Sequence, residues 1–227
     1  MASMASVVAA AAMYAVMWLG YGQGWGWLNA VDSSCLRVLY DVGVKHPLWV
    51  RFWDVVCDVF SPSTFRLLGL AVAVILLLRR RWRAAVLVFV SVEFSELISG
   101  TAKGLANRPR PVTALVHASS SAFPSGHALG SIVGVLALLT VSSPLMSRSG
   151  GVVAAVAGAL VVLAVGFGRV ALNVHHPSDI VAGWALGYLF FVLCWVISGV
   201  AARRLRRRVS GPEPGSAASP PACPRSV

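Results

Sequence analysis

Six apolar stretches punctuate the chain, at residues 4–21, 63–78, 84–100, 126–142, 150–167 and 179–202. Each approaches the roughly 20 residues that an α-helix needs to cross a bilayer core. The second is the weakest of the six, because Arg66 falls near its start. Residues 22–62 read differently, mixing Trp25, Trp27, Trp49 and Trp53 with Asp32, Asp41, Asp54 and Asp58. That mixture suits amphipathic helices at the membrane–water interface, where Trp prefers to sit. The plainer role, capping the bundle, is preferred for this segment over a role in lipid access. After residue 202 the pattern stops: Arg203, Arg204, Arg206, Arg207 and Arg208 lead into a Pro/Ser/Gly-rich tail. The expected organisation is an all-α polytopic membrane bundle of six transmembrane helices over residues 1–202. A basic, disordered cytoplasmic tail over 203–227 follows it.

Composition supports the membrane class. Of 227 residues, 57% are hydrophobic and 12% charged, and the mean hydropathy is +0.77; a soluble domain of this length could not cover its surface with so few charges. A net charge of +11 would suggest nucleic acid in a soluble protein. Here topology and phosphate binding account for it, so membrane lipids are the expected partners and nucleic acid is not. Eleven of the 19 Lys and Arg lie in two short connections and the tail: Arg79, Arg80, Arg81, Arg83, Arg148, the five-Arg cluster and Arg225. If these are cytoplasmic, both termini are inside. Met1 to Ser6 carry no basic residue, so an uncleaved first span is expected in place of a signal peptide. Cys35, Cys57, Cys194 and Cys223 show no metal-type spacing. A Cys35–Cys57 disulfide is conceivable but not expected, and Cys194 reads as an apolar residue within a span.

Three polar stretches sit at ends of apolar runs, all on the expected outer side. The first runs from Lys103 to Arg110-Pro111, the second is Pro124-Ser125-Gly126-His127, and the third is Gly168-Arg169, His175 and Asp179. Lys103, Arg110 and Arg169 are cations that could face the non-bridging oxygens of a phosphate, where charge builds during phosphoryl transfer. Arg adds a bidentate geometry that Lys lacks. Ser125 suits an N-cap and Gly126 permits close approach of a ligand to backbone, since free N–H groups at a helix start bind phosphate. A His at that helix end, His127, can donate a proton to a departing alkoxide. His175 and Asp179 are four apart near a helix start, with Pro177 between them. A carboxylate at that spacing can fix the imidazole tautomer that leaves the other nitrogen free to attack phosphorus. Arg108 reads as a lipid head-group contact. Zinc is not expected at His175-His176, because no third and fourth ligand stand at suitable spacing.

Taken in order, K-x6-RP, PSGH and R-x5-H-x3-D resemble the three-part signature of the type 2 phosphatidic acid phosphatase family, related in fold to the vanadium haloperoxidases. The signature covers Lys103 to Asp179, about a third of the chain, and the six-span hydropathy extends the likeness to most of it. The resemblance implies a lipid phosphatase working without metal or other cofactor. It implies His175 as a nucleophile forming a phosphohistidine, Asp179 as its orienting partner and His127 as the acid for the leaving group. Lys103, Arg110, Arg169, Ser125 and Gly126 would hold the phosphate. Gly168 departs from the family's Ser, which removes one hydroxyl from the pattern.

Glu93 and Glu96 fall within the third apolar stretch, where a carboxylate is expensive. A structural pairing with Arg66 or another cation is preferred; the alternative is that Glu96 positions Lys103, two turns further along the same face. The expected substrate is a lipid phosphate or diphosphate monoester, of polyprenyl diphosphate or phosphatidate type. Three rivals stay open: a lipid phosphotransferase using an acceptor other than water, a haloperoxidase, and a non-catalytic membrane scaffold.

Overall fold

The computed structural model describes residues 3–199; the tail from 203 onward lies outside them. Among the described residues nine α-helices follow one another: α1 (Met4–Gly22), α2 (Gly26–Lys45), α3 (Pro47–Val59), α4 (Pro62–Leu78), α5 (Trp82–Glu93), α6 (Ser95–Ala106), α7 (Gly126–Ser142), α8 (Arg148–Ala171) and α9 (Pro177–Ile197). Six segments among the described residues are long and apolar enough to span a membrane. Large apolar side chains such as Leu67, Leu78, Val153, Leu160 and Ile197 are exposed on them. Water would not tolerate that surface, and lipid does.

Local chemistry explains the starts and stops. Ser61, Ser125 and Ser147 cap α4, α7 and α8, each hydroxyl accepting from a backbone N–H in the first turn. Pro62 and Pro177 occupy the opening turns of α4 and α9, where a missing N–H costs nothing. Asn107 ends α6 in the left-handed region (φ 44°), and Pro109 and Pro111 beyond it forbid resumption of the helix. Residues 107–125 therefore form a loop.

The structure redraws three sequence-based boundaries. The third span is two helices, α5 and α6, broken at Phe94. The fifth span, α8, continues past residue 167, so Arg169 stands in its last helical turn. The helical region before α4 starts at Pro47, and the span reaching Leu78 is 32 residues long. That is more than a bilayer core requires, and α3 packs instead along α8.

α7 lies at the centre, against α4, α5, α6, α8 and α9. Its Leu129, Val133 and Ala137 join Phe65, Leu87, Val88 and Phe191 in the main apolar cluster. α9 approaches α7 closely at two glycines. A Cβ on Gly183 would lie 2.6 Å from the Ser125 carbonyl oxygen, and one on Gly187 2.9 Å from that of Leu129. Small residues at such crossings let backbones come together within lipid. This crossing sets the start of α9 against the start of α7, and Ser125 N–H donates to Asp179 O at 2.9 Å. Two of the three motifs are thereby locked at one end of the bundle. The Arg79–Arg83 connection and the Arg148 turn lie at the opposite end, because α4 and α7 run away from the motifs.

Candidate active site

A cavity of about 590 Å³ opens at the motif end, lined by Lys103, Arg110, Gly126, His127, Arg169 and His175 among others. Six residues expected from the sequence thus share one space. Asp179 stands behind it, fully buried. Ser125 is also fully buried; its hydroxyl accepts from Ala128 N–H as the cap of α7, so its side chain serves the helix.

Two of the three cations, Lys103 and Arg110, are held by hydrogen bonds within the protein. Lys103, one turn from the end of α6, donates to Ser120 Oγ at 2.7 Å. Arg110 donates from Nε to Ser120 O at 2.6 Å and from Nη1 to Val174 O at 2.7 Å. Ser120 therefore organises both, a role that its place in a loop gave no reason to expect. Burial, then the nearby Arg169 charge, push Arg110 down to about 10, which leaves it cationic at neutral pH. Arg169 is buried beside Cys57, Asp54 and Asp58 of α3.

His175 is 1% exposed. Its Nε2 lies 3.2 Å from Arg110 Nη1, on the cavity side. Its Nδ1 lies 3.6 Å from Asp179 Oδ2, an ion-pair distance beyond a normal hydrogen bond. Burial pushes His175 down to about 3, against the opposing pull of the Asp179 carboxylate. The ring is neutral at pH 7, so one nitrogen carries a lone pair, and at Nε2 that lone pair accepts from Arg110 Nη1. Asp179 is shared: Oδ2 also accepts from His176 N–H at 2.8 Å and faces His176 Nδ1 at 3.1 Å. His176 thus belongs to the histidine–carboxylate cluster. Among the described residues no group of three or more His, Cys, Asp or Glu is gathered as a metal site.

Arg108 corrects the sequence reading. It is 5% exposed, and it donates from Nη1 to Asp179 Oδ1 at 2.6 Å and from Nη2 to Asp32 Oδ2 at 2.8 Å. A head-group contact would have left it at the surface; the two buried carboxylates draw it inward instead. Asp32 was not singled out by sequence, since an acidic residue in an amphipathic helix normally faces solvent. The same applies to Asp54 and Asp58, which line the cavity. The segment 22–62 does more than cap the bundle, because α2 and α3 supply site residues. Cys35 and Cys57 are both free, one exposed and one buried. Glu93 and Glu96 both pair with Arg66 of α4, as the structural reading expected, while Lys103 turns to Ser120.

Gly168 has a structural cause. A Cβ there would meet Cys57 Sγ at 2.8 Å and the Trp53 ring at 3.0 Å. The absent side chain makes room for α3.

Fold and site together define a six-span helical membrane protein with a basic, histidine-bearing cavity at one end of the bundle. The chain belongs to the PAP2 superfamily, whose profile matches residues 84–203. Phosphatidylglycerophosphatase B of Bacillus subtilis (strain 168) is 36% identical over 119 residues, covering 51% of this chain and 58% of that protein. The match thus spans little more than half the length of that curated relative. A crystal structure described as the first transmembrane PAP2-type phosphatidylglycerolphosphate phosphatase, from Bacillus subtilis, shares the fold. Its TM-score is 0.75 at 21% identity, over 87% of this chain and 98% of that one.

Proposed function

We propose that this protein is a membrane lipid phosphatase that hydrolyses a phosphate or diphosphate monoester through a phosphohistidine on His175. The observation that carries the reading is the single cavity shared by Lys103, Arg110, His127, Arg169 and His175, with Asp179 behind it. His175 Nε2 lies beside the Arg110 guanidinium of that cavity and Nδ1 lies on the side of the Asp179 carboxylate, 3.6 Å away, which supports Nε2 as the attacking nitrogen. Nε2 attacks phosphorus in line, and the bond to the lipid oxygen breaks. His127 supplies the proton to that oxygen, and Lys103, Arg110 and Arg169 take up charge on the equatorial oxygens. Water then attacks phosphorus, gives a proton back to His127 and displaces the His175 nitrogen, releasing phosphate and restoring both rings. Gly126 offers backbone at the start of α7, where N–H groups point at an anion. Ser125 contributes through its backbone and its cap.

The substrate is a lipid phosphate of polyprenyl diphosphate or phosphatidate type, and the relative's name adds phosphatidylglycerophosphate to the candidates. The protein is placed in the cell membrane with this end extracytoplasmic and both termini cytoplasmic, supported by the basic connections at the opposite end. Residues 1–202 act as one membrane domain. Phosphate release from a panel of these lipids in detergent, with EDTA present, tests the function. His175→Ala is expected to abolish turnover while keeping the melting temperature. Substantial turnover by folded His175→Ala would overturn the assignment of the nucleophile. Product analysis with and without an alcohol acceptor separates hydrolysis from phosphotransfer.

A further inference from the structure

Asp32 belongs to α2, 76 positions before Arg108 and outside the stretch matched by the family profile. It is nevertheless 2% exposed and its carboxylate is fully engaged. Oδ2 accepts from Arg108 Nη2 at 2.8 Å and from the Ser178 hydroxyl at 2.5 Å, and Oδ1 accepts from Ser178 N–H at 3.0 Å. From its other terminal nitrogen Arg108 donates to Asp179 Oδ1 at 2.6 Å and to Ser178 Oγ at 2.7 Å. The guanidinium also lies over the Tyr21 ring, 4.7 Å from its centroid. A continuous buried path therefore runs from Asp32 through Arg108 to Asp179, whose other oxygen faces His175.

Desolvating two carboxylates and a guanidinium is costly, and apolar side chains of similar volume commonly pack as well. The geometry gives this arrangement a use. A carboxylate held at one oxygen can turn about its Cβ–Cγ bond, and one held at both cannot. Oδ2 of Asp179 is tied to His176, and Oδ1 depends on Arg108. Arg108 is a long side chain, and Asp32 supplies the charged partner that holds its second terminal nitrogen, Nη2.

We propose that Asp32 is a positioning residue for the reaction: acting through Arg108, it fixes the Asp179 carboxylate against His175 Nδ1 and so keeps Nε2 aimed into the cavity. This rests on the reading of His175 as the nucleophile. It also makes seating of α2 a condition of catalytic competence, since α2 carries Asp32.

The test uses full-length protein in detergent and whichever lipid phosphate the wild type cleaves. Asp32→Asn keeps the shape and removes the charge that holds Arg108. Its kcat is expected to fall roughly tenfold, the lower range for loss of a group that orients a reacting residue, with KM changed less than about twofold. Vanadate, which bonds to the attacking nitrogen in a trigonal-bipyramidal adduct, should inhibit roughly tenfold more weakly, while inhibition by inorganic phosphate stays unchanged. A merely structural role would not split vanadate from phosphate. Should Asp32→Asn fail to fold, the same readings on Ser178→Ala, which deletes only the bridging hydroxyl, decide the matter. A folded variant with wild-type kcat and vanadate inhibition overturns the proposal, and so does an equal loss of affinity for vanadate and phosphate. If His175→Ala is inert while Asp32→Asn is normal, only the role of Asp32 falls. If His175→Ala still turns over, the nucleophile assignment itself falls.

Discussion

Restoring the family's serine at position 168 should harm this protein. The new Cβ would stand 2.8 Å from Cys57 Sγ and 3.0 Å from Trp53 Cε3, closer than carbon tolerates. Neither neighbour can give way easily. Cys57 is fully buried and short, and Trp53 is wedged edge-on between Trp49, Phe52 and Phe167, with ring centroids 5.6, 5.1 and 4.9 Å away. Overpacking of this kind costs about 1–3 kcal/mol. Replacing a helical glycine returns only about 0.5 kcal/mol of helix propensity. The clash wins, and Gly168→Ser should destabilise by about 1–2 kcal/mol. The last turn of α8 must shift to relieve the contact, and Arg169 moves with it, so kcat/KM should drop several-fold. Thermal melts and phosphate release in detergent measure both effects. Cys57→Ala removes the nearer obstacle, so the double variant should be more stable than the sum of the singles by about 0.5–3 kcal/mol. A Gly168→Ser protein as stable and active as the wild type would refute the claim that α3 packing excludes the side chain.

Arg108→Ala leaves Asp32 and Asp179 buried without their cation and should cost about 3–5 kcal/mol, seen as a large fall in melting temperature; an unchanged melt would contradict the buried network. The proposed orientation is checked with Ser119→Cys and Ser147→Cys in a Cys35-free background. The first should react with an impermeant thiol reagent in intact cells and the second only after lysis, and the reverse pattern would place the cavity in the cytoplasm. With His175 depressed to about 3, kcat should show no histidine limb near pH 6.5 arising from the nucleophile. The same depression means the unfolded chain binds the proton that the folded one refuses, so this group's contribution to stability is lost as pH falls from about 6.5 towards 3. Acid titration of the melting temperature should be shallower in His175→Gln, and an identical slope would show that His175 is not buried neutral.

Much of the molecule was legible in its linear pattern, for physical reasons. Spanning lipid demands long apolar runs that satisfy their own backbone, so the helices at residues 4–21, 126–142 and 150–167 announce themselves without reference to neighbours. The motif residues could also be named, because phosphate chemistry draws on a narrow set of side chains and Lys103, Arg110, His127, Arg169, His175 and Asp179 stand at helix ends in a specific order. That five of them line one cavity, with Asp179 directly behind, depended on the glycine-lined crossing of α7 and α9. Local pattern cannot specify such a crossing, because it is a property of two helices at once. The supporting residues were invisible for the same reason. Asp32, Asp54 and Asp58 look like solvent-facing acids of amphipathic helices, and Arg108 looks like a surface cation. Only the burial of Asp32 and Arg108 against each other, brought about by helices far apart in the chain, makes a network around the Asp179 carboxylate, while Asp54 and Asp58 come to line the cavity near Arg169. Gly168 is the reverse case: the sequence exposes the missing hydroxyl, but its reason lies in Cys57 and Trp53, more than a hundred residues away and in contact only once α3 lies against α8.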